Sequence, residues 1–168
     1  VSTGGGDQRL DPERLGKHVE RLYRAAYGLC RSPQDAEDLV QDTFERVLRR
    51  PRFVRRDQDL AYLLRVLRNT WISGARAQRL AEIPLEEAPE PALAGGADPV
   101  VTAVVEMGAV YDALHGLTEP LREAVVAVDI VGLSYRDAAR ALGTKEGTIM
   151  SRLHRGRGQI AAVLEQPA

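Results

Sequence analysis

Residues 82–99 of this 168-residue chain hold five acids (Glu82, Glu86, Glu87, Glu90 and Asp98) and no basic residue. The run from Ile83 to Pro99, IPLEEAPEPALAGGADP, carries neither a helical nor a strand period and reads as an acidic linker. Neither flank reaches the ~100–200 residues of an average domain, so each builds its core from a handful of elements. The expected organisation is a disordered or tag-derived tail over 1–9, one helical unit over 10–81, the linker, and a second unit over 100–168. The tail is polar, contains Gly4-Gly5-Gly6 and has no signal-peptide core.

Helical periods run through both flanks, while alternating strand patterns are nearly absent, so the expected fold class is all-α. Leu15, Val19, Leu22, Ala26 and Leu29 predict a first helix from about Pro12 to Cys30. Ser32-Pro33-Gln34-Asp35 combines a capping residue, proline at the first helical position and an acid three residues after the cap. The helix it opens turns Ala36, Leu39, Val40, Phe44, Val47 and Leu48 inward and carries Asp35, Asp38, Asp42, Glu45 and Arg49 on its other side. A loop follows, Arg49 to Arg56, with five arginines in eight residues around Phe53. A third helix from Asp59 buries Leu60, Leu63, Leu64, Leu67 and Trp71. It leaves a polar stripe of Arg65, Asn69, Ser73 and Arg76.

In the second flank, Asp98-Pro99 opens a helix with Val101, Val104, Val105 and Leu114. Thr118-Glu119-Pro120 opens the next, with Leu121, Val125 and Val128 inward and Gly132 at its end. Ser134 to Asp137 is a capping box, Gly143 stops the short helix that follows, and Thr144 is expected to cap a last helix from Lys145. Ala139, Gly143 and Ile149 stand at offsets of zero, four and ten. Those offsets give a small residue at a helix contact, a residue tolerant of positive φ and an apolar anchor. Leu142, Ile149, Leu153 and Ile160 form the buried side of this helix-turn-helix. Lys145, Glu146, Met150, Ser151, His154 and Arg155 face outward, as a major-groove helix requires. Gly156 and Gly158 either fray the last turns or let them pack closely.

Charge narrows the function. Residues 1–81 carry 16 basic and 11 acidic side chains, and residues 100–168 carry 7 and 8, so neither half grips a duplex strongly alone. One cysteine excludes an internal disulfide framework and suits a reducing cytoplasm, with Cys30 read as a small buried apolar residue. Three scattered histidines offer no metal spacing, and no phosphate loop or nucleophile–base pair appears. No cofactor, metal or catalytic residue is therefore expected. No apolar run approaches the ~18 residues of a membrane span.

Asp35-Ala36-Glu37-Asp38-Leu39-Val40-Gln41-Asp42-Thr43-Phe44, Tyr62 to Asn69, Gly132-Leu133-Ser134-Tyr135 and Gly147 to Arg155 together resemble the extracytoplasmic-function (ECF, group 4) sigma factors of bacterial RNA polymerase. The resemblance covers about residues 15–81 and 100–164. It implies a sigma region 2-like unit that reads the −10 element and binds core polymerase, and a region 4-like unit that reads the −35 element. By that resemblance, the −10 contacts fall on Arg52, Phe53, Arg55, Arg56, Arg65, Asn69, Ser73 and Arg76, with the arginine loop taking a base flipped from the melted non-template strand. The duplex −35 contacts fall on Lys145, Thr148, Met150, Ser151, Arg152, His154 and Arg155. Met150 stands where a basic residue is often found and can only make apolar contact, such as with a thymine methyl. Asp35, Asp38, Gln41, Asp42 and Glu45 match the main contact with the β′ clamp helices, the β flap being the other core contact. The resemblance also implies an anti-sigma partner and a linker threading the channel for nascent RNA.

Two weak reading heads on a tether become one selective site when a large partner holds them. Two other readings compete with promoter recognition. One is a free-standing helix-turn-helix regulator that binds an operator without polymerase. The other is a helical protein-interaction adaptor.

Overall fold

A computed structural model of the chain describes residues 8–80 and 107–166. The acidic linker and the expected helix carrying Val101, Val104 and Val105 lie outside the described residues. The described residues are all-α but for one two-stranded ribbon, β1 (Gln8–Arg9) antiparallel to β2 (Phe53–Val54).

The first half contains α1 (Pro12–Gly16), α2 (Val19–Cys30), α3 (Pro33–Arg49) and α4 (Asp59–Leu80), with a 3-10 turn at Arg56–Gln58. The single helix expected over Pro12–Cys30 is broken at Lys17-His18, and Val19 is exposed rather than buried. The break lets α1 turn back, so that Arg14 reaches Asp59 at the start of α4 through Nε (3.2 Å) and Nη2 (2.5 Å). α3 starts as the sequence dictates: Ser32 Oγ accepts from the Asp35 N–H, and Pro33 occupies the first turn. Its buried face differs at the end of the stripe. Leu48 is exposed, and Thr43 is fully buried because its hydroxyl donates to the Leu39 carbonyl at 2.7 Å. α2, α3 and α4 pack on one another around Leu22, Leu63, Leu64 and Leu67.

The second half contains α5 (Gly108–His115), α6 (Glu119–Val125), a π-helical turn (Val126–Ile130), α7 (Tyr135–Leu142) and α8 (Glu146–Leu164). Ser134 caps α7 by accepting from the Asp137 N–H, and Gly132 and Gly143 take positive φ at the two turns. Lys145, not Thr144, is the N-cap residue of α8, in extended backbone and with no side-chain cap bond. α5, α6 and α7 all pack on α8.

The two halves are docked on each other rather than held apart, contrary to the picture of two free heads. α2 packs on α5, α6 and the π turn, and α4 packs on α7. Gly28 makes the approach possible: a Cβ there would stand 2.9 Å from Val126 Cγ2 and 3.2 Å from Leu114 Cδ2. Tyr27 meets Tyr111 edge-on with ring centroids 4.9 Å apart, and His115 Nε2 lies 2.8 Å from the Tyr27 carbonyl. Arg68 Nε donates to Glu123 Oε1 at 2.7 Å, with Glu123 only 4% exposed. Arg122 lies over the half-buried Trp71 ring at 5.8 Å. One apolar core thus runs through both halves.

Candidate nucleic-acid and polymerase-binding surfaces

The arginine loop is held from beneath. Arg14, 8% exposed, donates Nη1 to the carbonyls of Gln8 (2.9 Å) and Arg9 (3.0 Å) and Nη2 to that of Val54 (3.3 Å). It therefore ties both strands of the ribbon to Asp59, and His18 Nε2 approaches the same carboxylate at 3.4 Å. Two backbone segments and one helix start share a single guanidinium, whose five donors suit such a junction. This is the positioning residue that sequence reasoning missed. Its one signal, a lone arginine beside Leu15 in a helix start, gave no hint of Asp59 45 residues away. Residues 8 and 9 thereby leave the expected tail and become part of the site, and Leu10, 1% exposed, anchors them.

Strand pairing presents Phe53 outward, 71% exposed, between the exposed side chains of Arg52 and Arg55. Such an aromatic stands free only at a cost in apolar hydration, and a flipped base stacked on it would offset that cost. Arg55 pairs with Asp57 at 3.1 Å and Arg56 with the Gln8 amide oxygen at 2.9 Å. Arg65, Asn69, Ser73 and Arg76 all emerge on the exposed face of α4, beside the loop. The Arg65 guanidinium stands 5.7 Å over the Tyr62 ring. All eight residues expected at the −10 strand are exposed, and the structure brings Arg52, Phe53, Arg55 and Arg65 together around one cleft.

On α8, Ile149 and Leu153 are buried at 0% and 1%, and Leu142 at 8% closes the contact from α7. Burial of that side leaves Lys145, Met150, Ser151, His154 and Arg155 exposed, with Thr148 and Arg152 half-buried at the edges. Met150 is 55% exposed, an apolar side chain aimed at solvent. Ser151 Oγ donates to the Thr148 carbonyl at 3.0 Å and has its oxygen lone pairs open.

Asp35, Asp38, Gln41, Asp42 and Glu45 are all exposed along α3, on the face turned away from α2 and α4. Asp38 accepts from the Gln34 amide at 3.4 Å, and Glu45 pairs with Arg49 at 3.2 Å. Both contacts are exposed and worth little, so the stripe stays open to a basic partner. Cys30 is half-buried, and burial first, with the Asp35 charge adding, pushes its thiol up to about 12. A thiol so rarely ionised is a poor nucleophile and metal ligand. Among the described residues no group of His, Cys, Asp and Glu is placed to hold a metal ion, and no helix is long and apolar enough to cross a membrane.

Comparison with known proteins shows which family the chain belongs to. Residues 15–80 match the family described as Sigma-70 region 2, and residues 107–160 match Sigma-70, region 4. The chain is 37% identical to the ECF RNA polymerase sigma factor SigE of Mycolicibacterium smegmatis, over 95% of this chain and 65% of that protein. It is 34% identical to the ECF RNA polymerase sigma factor SigM of Mycobacterium tuberculosis, over 98% of this chain and 89% of that one. Among solved structures, the sigma factor RpoE of Bartonella quintana, in complex with the anti-sigma factor NepR, superposes with a TM-score of 0.67 at 29% identity. That superposition covers 93% of this chain and 97% of RpoE. The chain belongs to the ECF sigma factors of the sigma-70 family, a family of transcription initiation factors.

Proposed function

We propose that this sigma factor directs bacterial RNA polymerase core to specific promoters, with the labour divided between its halves. Residues 10–81 bind core through Asp35, Asp38, Gln41, Asp42 and Glu45 and hold the melted −10 strand through the arginine loop and the α4 stripe. Residues 100–168 read the −35 duplex with α8, and residues 82–99 connect the two. The observation that carries this reading is the exposed Phe53 flanked by arginines in the same chain as an outward-facing helix-turn-helix. No motif for nucleotide hydrolysis is present, so binding energy opens the strands, at a few kcal/mol per unstacked step. The setting is cytoplasmic, and an anti-sigma partner is expected because the solved relative RpoE is held by one.

Transcription with core polymerase from a promoter library tests the proposal. Specific initiation is the expected result, and operator binding independent of polymerase would favour a free-standing regulator. Arg155→Ala should weaken −35 recognition by about tenfold while core affinity is unchanged, a lost charged hydrogen bond being worth ~1.5–3 kcal/mol. Asp38→Arg combined with Asp42→Arg should lower core affinity and leave DNA contacts intact.

A further inference from the structure

A cleft lies where the two halves meet, with eight lining residues from the first half and two, Arg140 and Ala141, from the second. Its volume is about 320 Å³, and it lies between the arginine loop and α4 on one side and α7 on the other. Arg52, Arg55 and Arg65 line it from the first half and Arg140 from the second, and no acidic residue lines it. Among the described residues neither Arg52 nor Arg65 has a carboxylate partner, although the chain carries 24 acids. Arg140 has only a loose approach to Asp137 at 3.8 Å and to the Gln58 amide oxygen at 3.5 Å. Two aromatic rings, Phe53 and Tyr62, complete the wall.

Each of these features points to the same ligand chemistry. Arg52 and Arg65, without a carboxylate partner, converge with the loosely held Arg140 and favour a multiply charged anion, and their planar forks suit phosphate. Exposed Phe53 gives a flat apolar surface for a ring to stack on. Gln58, a half-buried lining residue, can donate to and accept from a base edge, and its bonds to Asp137 (3.4 Å) and Arg140 are both long enough to exchange. The volume sits at the small end of the ~300–1,000 Å³ typical of ligand sites, room for one nucleoside with its phosphates at the mouth.

We propose that this cleft binds a nucleoside di- or triphosphate, which bridges Arg52 and Arg65 to Arg140 and thereby holds the two halves docked. The same chemistry could arrive as a nucleotide within single-stranded DNA, and the two sources are separable. Arg52, Phe53, Arg55 and Arg65 also belong to the surface proposed for the −10 strand, so the two ligands would compete there, and Arg140, which lies outside that surface, separates the two readings.

Equilibrium dialysis of the full chain with GDP and with ADP is the test, with inorganic pyrophosphate and a single-stranded oligo-dT as separate arms. Saturable binding of a nucleotide is expected, weakened about tenfold or more by Arg140→Ala and by Arg52→Ala. Arg136→Ala removes the same charge from an exposed site on α7 outside the cleft and should change nothing. Circular dichroism verifies that each variant folds. Pyrophosphate binding as tightly as the nucleotides would overturn the assignment, as would an equal loss with Arg136→Ala. Binding of oligo-dT alone, unaffected by Arg140→Ala, would return the site to the promoter strand.

Discussion

Gly156 and Gly158 stand two residues apart on α8 and have opposite reasons to be there. A Cβ on Gly156 would lie 2.9 Å from Val125 Cγ2 and 3.6 Å from the Leu121 carbonyl, whereas nothing lies within 4 Å of one on Gly158. Glycine inside a helix costs roughly 0.5–1 kcal/mol relative to alanine. Gly158→Ala should therefore raise stability by about that amount. Gly156→Ala should lower it, because the forced separation of α6 and α8 outweighs the gain in propensity. Urea unfolding of the two variants measures both signs. The sequence left fraying and close packing both open for these positions, since the absence of a side chain is visible there and the neighbour it makes room for is not. Lys145, by contrast, was one residue from its expected place because the turn after Gly143 is a residue longer than the cap pattern implied.

At the scale of elements, what was legible was local. Ser32, Pro33, Ser134, Gly132 and Gly143 start or stop helices through bonds reaching three or four residues, so their types alone announced the boundaries. The exposed faces of α3, α4 and α8 followed from the apolar period in the same way. What joins α2 to α5 was not legible: His115 meets the Tyr27 carbonyl across 88 residues of sequence, and an apolar stripe does not say which other stripe it will meet. That contact has a pH signature. Burial first, and then the Arg31 and Arg122 charges, lower the His115 pKa below its ordinary 6.5, against the Tyr27 hydrogen bond and Asp112, which raise it. Well above pH 6.5 the imidazole is neutral whether the chain is folded or not, and it adds no pH dependence there. Below that value the unfolded chain takes up the proton first, so stability falls as the pH falls. Urea midpoints at about pH 7.5 and about pH 5.5 should differ more for the native chain than for His115→Gln.

For the whole molecule, the question is how a docked body reads two distant sites. A chain of this length folded as one unit has a radius of gyration of about 15 Å, hence a breadth of roughly 40 Å. Elements centred near −10 and −35 are separated by ~25 base pairs, or about 85 Å at 3.4 Å each. A docked body of that breadth cannot lie on both elements at once, so reading both requires the halves to part. Parting breaks the Arg68–Glu123 pair, whose carboxylate is 4% exposed in the docked form. Arg68→Ala leaves that carboxylate buried and unpaired and should cost the docked chain about 3 kcal/mol in urea unfolding, the low end of the usual range because Arg68 itself is partly solvated. Replacing both residues by leucine should restore most of the loss.

Among the described residues, the acidic face of α3 stays exposed while the two halves are docked. With that face as the polymerase contact, a shut molecule is already competent for capture and need not open first. Its consequence is one of traffic: chains waiting in the compact state still contend with other initiation factors for a limited supply of free enzyme. Opening, and with it the reading of the promoter, would then follow recruitment and take place on the polymerase.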